Sequence, residues 1–385
     1  MDFEFATAQR ILFGSGRISQ LPDLAKDLGQ RVLLLGGSTP ERTRPIVQML
    51  KESELNPLPL EVHGEPTVDQ VSELTQKARK AKCDLVVAVG GGSVLDAGKA
   101  IAALLANQGD PLDYLEVVGK GLPLQNSPKP CIAIPTTAGT GAEVTRNAVL
   151  SVPDQHVKVS MRHIDMLPTV VLVDPELTHS LPSEPTLFTG MDALTQLIEA
   201  FVSIKSTPFT DAFCREGLSR IGSALPRVLH NGTDAEARSD MALSSLLSGL
   251  ALANGGLGVV HGIAGPFGGM FPAPHGKVCA ALLRPACALN IRVLQKRAPD
   301  HVALKKYTEA ATLLSGRSCT QPESLLEWLD AFLNSFPPPS INNLGITTAD
   351  IPVLIEKALR ASSMKGNPIP LSPEEIAELF KSVTS

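Results

Sequence analysis

The stretch Cys83–Ala100, CDLVVAVGGGSVLDAGKA, decides how the chain folds. Its first half, Leu85 to Val89, is apolar without polar alternation, the mark of a strand buried on both faces of a parallel sheet. Gly90, Gly91 and Gly92 follow, and Ser93 opens a helix that runs through Lys99 and Ile101. A strand ending in glycines at a helix N-terminus makes a phosphate cradle. With no β-carbons in the way, a pyrophosphate can reach free backbone N–H groups and the positive end of the helix dipole. The turn is not a G-x-G-x-x-G fingerprint, so on its own it reads equally as a tight connection.

The same pattern extends to either side. Arg31 to Leu35 is a second buried strand closed by Gly36, Gly37 and Ser38, and a helix follows over Thr43 to Glu52. Leu58 to Val62 reads as a strand, and Val68, Val71 and Leu74 give Thr67 to Lys80 helical spacing. Strand and helix in alternation predict a parallel α/β sheet. Upstream, Phe3 to Phe5 and Arg10 to Phe13 alternate weakly and suggest an entering hairpin or edge pair. Downstream, the Pro- and Gly-rich Gly109 to Pro130 is a surface excursion. Cys131 to Ile134 is the next buried strand, and it ends in PTTAGTGAEVT. Thr136, Thr137 and Thr140 bring hydroxyls, and Gly139 and Gly141 bare backbone, to the strand end where ligands of open α/β sheets bind. One such loop is ordinary, but two in one sheet favour a nucleotide. Val170 to Val173 is the last strand.

After Leu181 and Pro182 the texture changes to helical spacing: Met191 to Val202, Phe209 to Leu225, Ala235 to Leu252, Val302 to Leu314, Glu323 to Phe332, Ile351 to Arg360 and Pro373 to Ser382. This predicts two domains, an α/β domain over 1–182 and an all-helical domain over 183–385. A length of 385 residues fits two cores, and 43% hydrophobic with 19% charged residues suits a well-packed soluble protein. A net charge of −5 without a basic block argues against nucleic acid or an anionic membrane as partner. MDFEFATAQR lacks a secretory signal, and no apolar run approaches membrane-spanning length. Six cysteines without C-x-x-C read as free thiols in a reducing cytoplasm.

Thr189-Gly-Met-Asp192 opens a helix whose next turn carries Gln196, on the same face as Asp192. Much later, NGGLGVVHGIAGPFGGMFPAPHG sets His261 and His275 in glycine- and proline-shaped turns, with Phe267, Met270 and Phe271 as a candidate apolar wall or core. A carboxylate and two imidazoles suit one divalent metal; buried histidines that bond backbone carbonyls are the plainer alternative.

GGGSVLDAGKA, IPTTAGTGAEVT, LPTVVLVDPELTHSLP, TGMDALTQLIEAFVS and VVHGIAGPFGGMFPAPHG stand in an order and spacing that resemble the iron-containing (group III) alcohol dehydrogenases. The likeness runs from the Gly14–Gly16 turn to the C-terminal NPIPL. It implies a dinucleotide-binding α/β domain joined to a helical domain, with a nicotinamide cofactor in the cleft between them. It also implies that Gly91, Gly92 and Ser93 form the pyrophosphate turn, that Thr136, Thr137 and Thr140 lie beside the nicotinamide, and that Lys158 lies near the cofactor. Asp192, His261 and His275 match three of the family's four metal ligands. The fourth, ordinarily histidine, is Gln196, and a further frequent histidine is Gly265. A neutral amide is a poor donor to iron or zinc.

The resemblance thus implies interconversion of a small alcohol and an aldehyde or ketone, aided by iron or zinc, with His261 and His275 at the reacting centre. A metal-free course, as in the related maleylacetate reductases, would make one of these histidines the electrophile or acid. A binding protein without catalysis is the third option, and a homo-oligomer is left open. NAD-using members often carry aspartate where this chain has Gly37, so NADP(H) is expected over NAD(H). Ser38 and Thr39 would donate to the 2′-phosphate, with Arg42 or Arg44 adding charge.

Overall fold

Residues 2–384 are described by a computed structural model. The chain divides into two compact units, Ala6–His179 and the combination of Met1–Phe5 with Ser180–Ser385.

The first unit is an open sheet. Its elements run β1 (Arg10–Phe13), α1 (Leu21–Lys26), β2 (Arg31–Gly36), α2 (Pro40–Glu52), β3 (Asn56–Glu61), α3 (Val68–Lys80), β4 (Leu85–Gly90), α4 (Gly92–Ala106), α5 (Pro111–Tyr114), β5 (Cys131–Pro135), β6 (Asn147–Val152), β7 (Val157–Arg162) and β8 (Val170–Val173). Six strands pair in parallel in the order β1-β8-β5-β4-β2-β3. The apolar runs of β2, β4, β5 and β8 are buried because helices cover both faces of such a sheet. The order reverses between β2 and β4, so their carboxyl ends flank the topological switch point where open α/β sheets hold ligands.

Two sequence expectations fail in this unit. No hairpin enters the sheet: β1 stands alone and pairs in parallel with β8. Phe3 and Phe5 instead stack on Phe209 and Phe213 at 5.3–5.7 Å, which explains why the first residues group with the helical unit. The β6–β7 hairpin escaped the reading, although Ala148, Leu150 and Val152 alternate inward.

The second unit runs α6 (Ser183–Val202), α7 (Pro208–His230), α8 (Ala235–Gly255), α9 (Val259–Met270), α10 (His275–Arg297), α11 (Val302–Ser315), α12 (Ser324–Ser335), α13 (Ile351–Arg360) and α14 (Pro373–Thr384). Thr189 does not open a helix. It lies inside α6, where Gly190 permits close packing: a β-carbon there would stand 2.5 Å from Leu225 Cδ1. Nor do His261 and His275 occupy turns. They sit in the first turns of α9 and α10, two helices disguised by internal glycines and by Pro266 and Pro285. At 23 residues, α10 is long and apolar enough to cross a membrane, contrary to the sequence expectation, but 72% of its apolar window is buried within the protein, as for a core helix.

Candidate cofactor cradle and metal centre

In the α/β unit the expected cofactor residues gather at the carboxyl ends of neighbouring strands. Gly37 follows β2, Gly91–Ser93 follow β4, and Thr136–Thr140 follow β5. The N-cap of α4 is Gly91, and no side chain caps the first helical N–H groups, the arrangement helix N-termini use to bind anions. The cradle is narrow. A β-carbon on Gly92 would lie 2.8 Å from Thr140 Cγ2, and one on Gly91 would touch Thr137 at 3.4 Å. Thr136 is buried and its N–H donates to the Gly90 carbonyl at 3.0 Å, locking the threonine loop to the glycine turn. At Gly92 only bare backbone fits, and the cradle therefore suits a pyrophosphate.

Lys158, on β7, forms an ion pair with Glu65. Sequence reasoning missed Lys99, the residue that organises this loop pair. Its fully buried Nζ donates to the Ala142 carbonyl at 2.8 Å, to Thr145 Oγ1 at 2.9 Å and to the Asn147 carbonyl, and lies 2.9 Å from Asp96 Oδ1. The signal was a lysine on an otherwise apolar, buried helix.

Next to Ala142, Glu143 is also buried, and burial pushes its carboxyl up to about 7 against weaker downward pulls from its own backbone N–H and Lys99. A raised acid favours folding while it is protonated. That contribution is complete below the ordinary value of 4.5 and is lost as pH rises through about 7. Glu143→Gln should therefore match wild-type stability in acid and exceed it by about 3 kcal/mol above neutrality. Denaturant titrations across this range check it, and a pH-independent difference between the two proteins would refute it.

Near the end of β2, Ser38 Oγ meets His63 Nδ1 at 3.3 Å, and His63 Nε2 lies 3.7 Å from Glu61 at the end of β3. Arg42 and Arg44 lie on exposed early turns of α2, and Arg44 is 3.7 Å from Glu41. A β-carbon on Gly37 would have Val94 as its nearest neighbour, at an ordinary 3.8 Å.

The helical unit holds the second cluster. Asp192 on α6, His261 on α9 and His275 on α10 converge although they lie far apart in sequence: Asp192 Oδ1 is 3.2 Å from His261 Nε2 and 3.6 Å from His275 Nε2. The approach of α6 to α10 depends on Gly276, where a β-carbon would stand 2.2 Å from the Phe188 carbonyl oxygen. Glu199, one helical stripe along from Asp192, accepts from the Val260 N–H at 2.6 Å and meets His261 Nδ1 at 2.7 Å. When Nδ1 carries the proton, this carboxylate accepts from it and leaves Nε2 as the ligand nitrogen, as partners behind a metal-bound histidine do.

An unprotonated Nε2 facing a carboxylate oxygen at 3.2 Å needs a positive charge between them. A cation can supply it, or a proton. Burial alone would push both histidines down, but Cys279, Asp192 and, for His261, Glu199 outweigh it and hold them above their usual value. Asp192 is correspondingly held below the usual carboxylate range: burial opposes ionisation, and His275 and His261 overcome it.

Gln196 is buried, and its amide oxygen accepts from Ser248 Oγ of α8 at 2.7 Å. Cys279, on α10, also reaches the cluster, with its sulfur 3.6 Å from Asp192 Oδ1 and 3.6 Å from His275 Nε2. Asp192, His261, His275 and Cys279 each offer a donor atom, all within 4.8 Å of one another, a set that fits a divalent cation. Glu199 and Cys279 were both missed, and both repeat a helical interval: Glu199 is seven residues from Asp192, and Cys279 is four from His275. Phe267 is core, fully buried and 4.9 Å from the Phe271 ring. Gly265 faces open space, with nothing within 4 Å of an added β-carbon.

Comparison with known proteins covers both units. Residues 8–175 match the family model described as iron-containing alcohol dehydrogenase, and residues 186–384 match that of the C-terminal part of the Fe-containing alcohol dehydrogenase family. The chain is 36% identical over 319 residues to an NAD-dependent methanol dehydrogenase of Bacillus methanolicus, covering 82% of this chain and 81% of that protein. It is 32% identical over 375 residues to alcohol dehydrogenase 4 of Saccharomyces cerevisiae, covering 96% and 95%. The crystal structure of a 1,3-propanediol oxidoreductase superposes with a TM-score of 0.90 at 30% identity, over 100% of both chains.

Proposed function

Because the chain belongs to the iron-containing alcohol dehydrogenase family and is an oxidoreductase of that family, we propose that it interconverts a small alcohol and its aldehyde or ketone, with NADP(H) preferred and a divalent metal at Asp192, His261 and His275. The observation that carries this reading is the convergence of those three side chains from three helices. When bound, the dinucleotide supplies or takes up the hydride, and the metal supplies Lewis acidity toward the substrate oxygen.

The chain's own residues do the rest. Gly91, Gly92 and Ser93 admit the pyrophosphate to backbone N–H groups, and Thr136, Thr137 and Thr140 shape the adjoining wall. Lys158 lends positive charge at the rim of the same unit, tempered by Glu65. Glu199 orients the His261 ring and fixes its tautomer. Asp192 places anionic charge where it offsets a cation or an imidazolium. The buried setting of Asp192 and His261 excludes water from the inner side of the cluster. The substrate class is tested by reducing simple aldehydes with NADPH in metal-replete and metal-stripped protein. Metal-dependent turnover is expected, and metal-independent turnover at the same rate would overturn the metal's role.

Cofactor preference turns on Gly37. A carboxylate there would hold the ribose hydroxyls and repel a 2′-phosphate, and there is room for it because the nearest atom lies 3.8 Å from the added β-carbon. Ser38 and His63 can donate to a phosphate, although Glu61 beside His63 works against it. One charge-assisted contact contributes about 1.5–3 kcal/mol. The ratio of kcat/KM for NADPH to that for NADH should therefore exceed about tenfold and fall by at least that factor in Gly37→Asp. A wild type that favours NADH, or an unchanged ratio in the variant, would sink the preference.

A further inference from the structure

We infer that Cys279, rather than Gln196, is the fourth protein ligand of the metal centre, and that the resulting carboxylate, two-imidazole and thiolate set selects zinc over iron. The inference rests on the metal reading above and names its missing donor.

Cys279 lies one turn after His275 on α10, so the two side chains leave the same helix face. Its sulfur is fully buried, 3.6 Å from Asp192 Oδ1, 3.6 Å from His275 Nε2 and 4.0 Å from His261 Nε2. With the two Asp192–histidine separations of 3.2 and 3.6 Å, these distances outline a small polyhedron. A tetrahedral ion with bonds of about 2.0–2.1 Å to nitrogen and oxygen and about 2.3 Å to sulfur has donor–donor edges of about 3.3–3.6 Å. The observed separations bracket those edges.

The amide oxygen of Gln196 accepts from the Ser248 hydroxyl at 2.7 Å, and a neutral amide is a weaker donor to a cation than a thiolate. Among the six cysteines, Cys279 is the one that joins two imidazoles and a carboxylate in a donor cluster.

Ligation needs no oxidant. The S–H bond breaks heterolytically, the proton leaves to solvent, and the sulfur electron pair forms the bond to the cation. The donor count equals that implied for the family, with thiolate in the place of one imidazole. Thiolate is the softer donor and moves the preference toward zinc. The loss of histidine at 196 is thereby compensated from another helix.

Cobalt(II), titrated anaerobically into chelator-stripped protein, tests the assignment by spectrum rather than by turnover. One equivalent should bind with a near-ultraviolet sulfur-to-cobalt charge-transfer band. Cys279→Ser should lose the band and bind cobalt more than about tenfold more weakly. Zinc-edge X-ray absorption on wild type, which requires no variant to fold, should find one sulfur at about 2.3 Å. In competition with iron(II), wild type should take up zinc, and the zinc-to-iron ratio should fall in Cys279→Ser. One equivalent of cobalt bound without a thiolate band, or a band that survives in Cys279→Ser, overturns the ligand assignment and leaves the metal reading standing. If neither cobalt nor zinc binds, the metal reading falls and the assignment falls with it.

Discussion

Replacing His275 with alanine lowers kcat/KM for carbonyl reduction by about a thousandfold or more and leaves dinucleotide affinity within about threefold of wild type. The asymmetry follows from where the residue sits. His275 caps the open side of the cluster, its side chain 36% exposed against 7% for His261 and 3% for Asp192. It is therefore the member of the cluster that an incoming oxygen can reach. Alanine removes a ligand nitrogen 3.6 Å from Asp192 and leaves that carboxylate short of positive charge. Several kcal/mol of charge stabilisation at the reacting oxygen go with it, and each ~1.4 kcal/mol is tenfold in rate. The glycine and threonine loops belong to the other unit, and the four donor atoms all come from 192–279. Steady-state kinetics paired with cofactor titration by fluorescence read both quantities. A variant within tenfold of wild type would take His275 out of the chemistry, and a parallel collapse of cofactor affinity would make its role structural.

The second large effect is on stability. Lys99→Met should cost about 3–5 kcal/mol, because the ammonium is buried and every partner it serves is left behind. Methionine fills most of the volume but offers no proton to the Ala142 and Asn147 carbonyls or to Thr145. Asp96 loses its cation and keeps the Val149 N–H at 3.0 Å. Dinucleotide binding should weaken as well, since Thr140 and Gly141 lead directly into Ala142 and the loop would lose its tether to α4. Urea unfolding monitored by circular dichroism, with cofactor titration alongside, checks both outcomes. An unchanged midpoint would mean that the ammonium contributes little beyond balancing its own desolvation.

The sheet was legible where burial on both faces makes a strand read as an unbroken apolar run, as in β2, β4, β5 and β8. The glycine and threonine loops were legible for the same reason, because each follows such a run. The helical unit was legible in outline, but α9 and α10 were not. Gly262, Gly265 and Gly276 break helical spacing on paper, and at least two of them answer to neighbours that the sequence does not announce. A β-carbon would sit 3.0 Å from Met364 at Gly262 and 2.2 Å from the Phe188 carbonyl at Gly276. Asp192, His261 and His275 were found as residue types, and it took the fold to bring them together. Cys279 was set aside with the other thiols because nothing in its own neighbourhood except the i−4 histidine marks it.

The donor cluster and the dinucleotide loops occupy separate stretches of chain, 192–279 and 37–158, each within its own unit. Heritable change can therefore reach one chemistry without trading against the other. On the ligand set inferred above, the donor that moves the preference toward zinc sits at position 279, one turn of α10 from His275. On the readings proposed above, the choice of metal and the choice of nucleotide are set at separate positions, 279 and 37, each within its own unit.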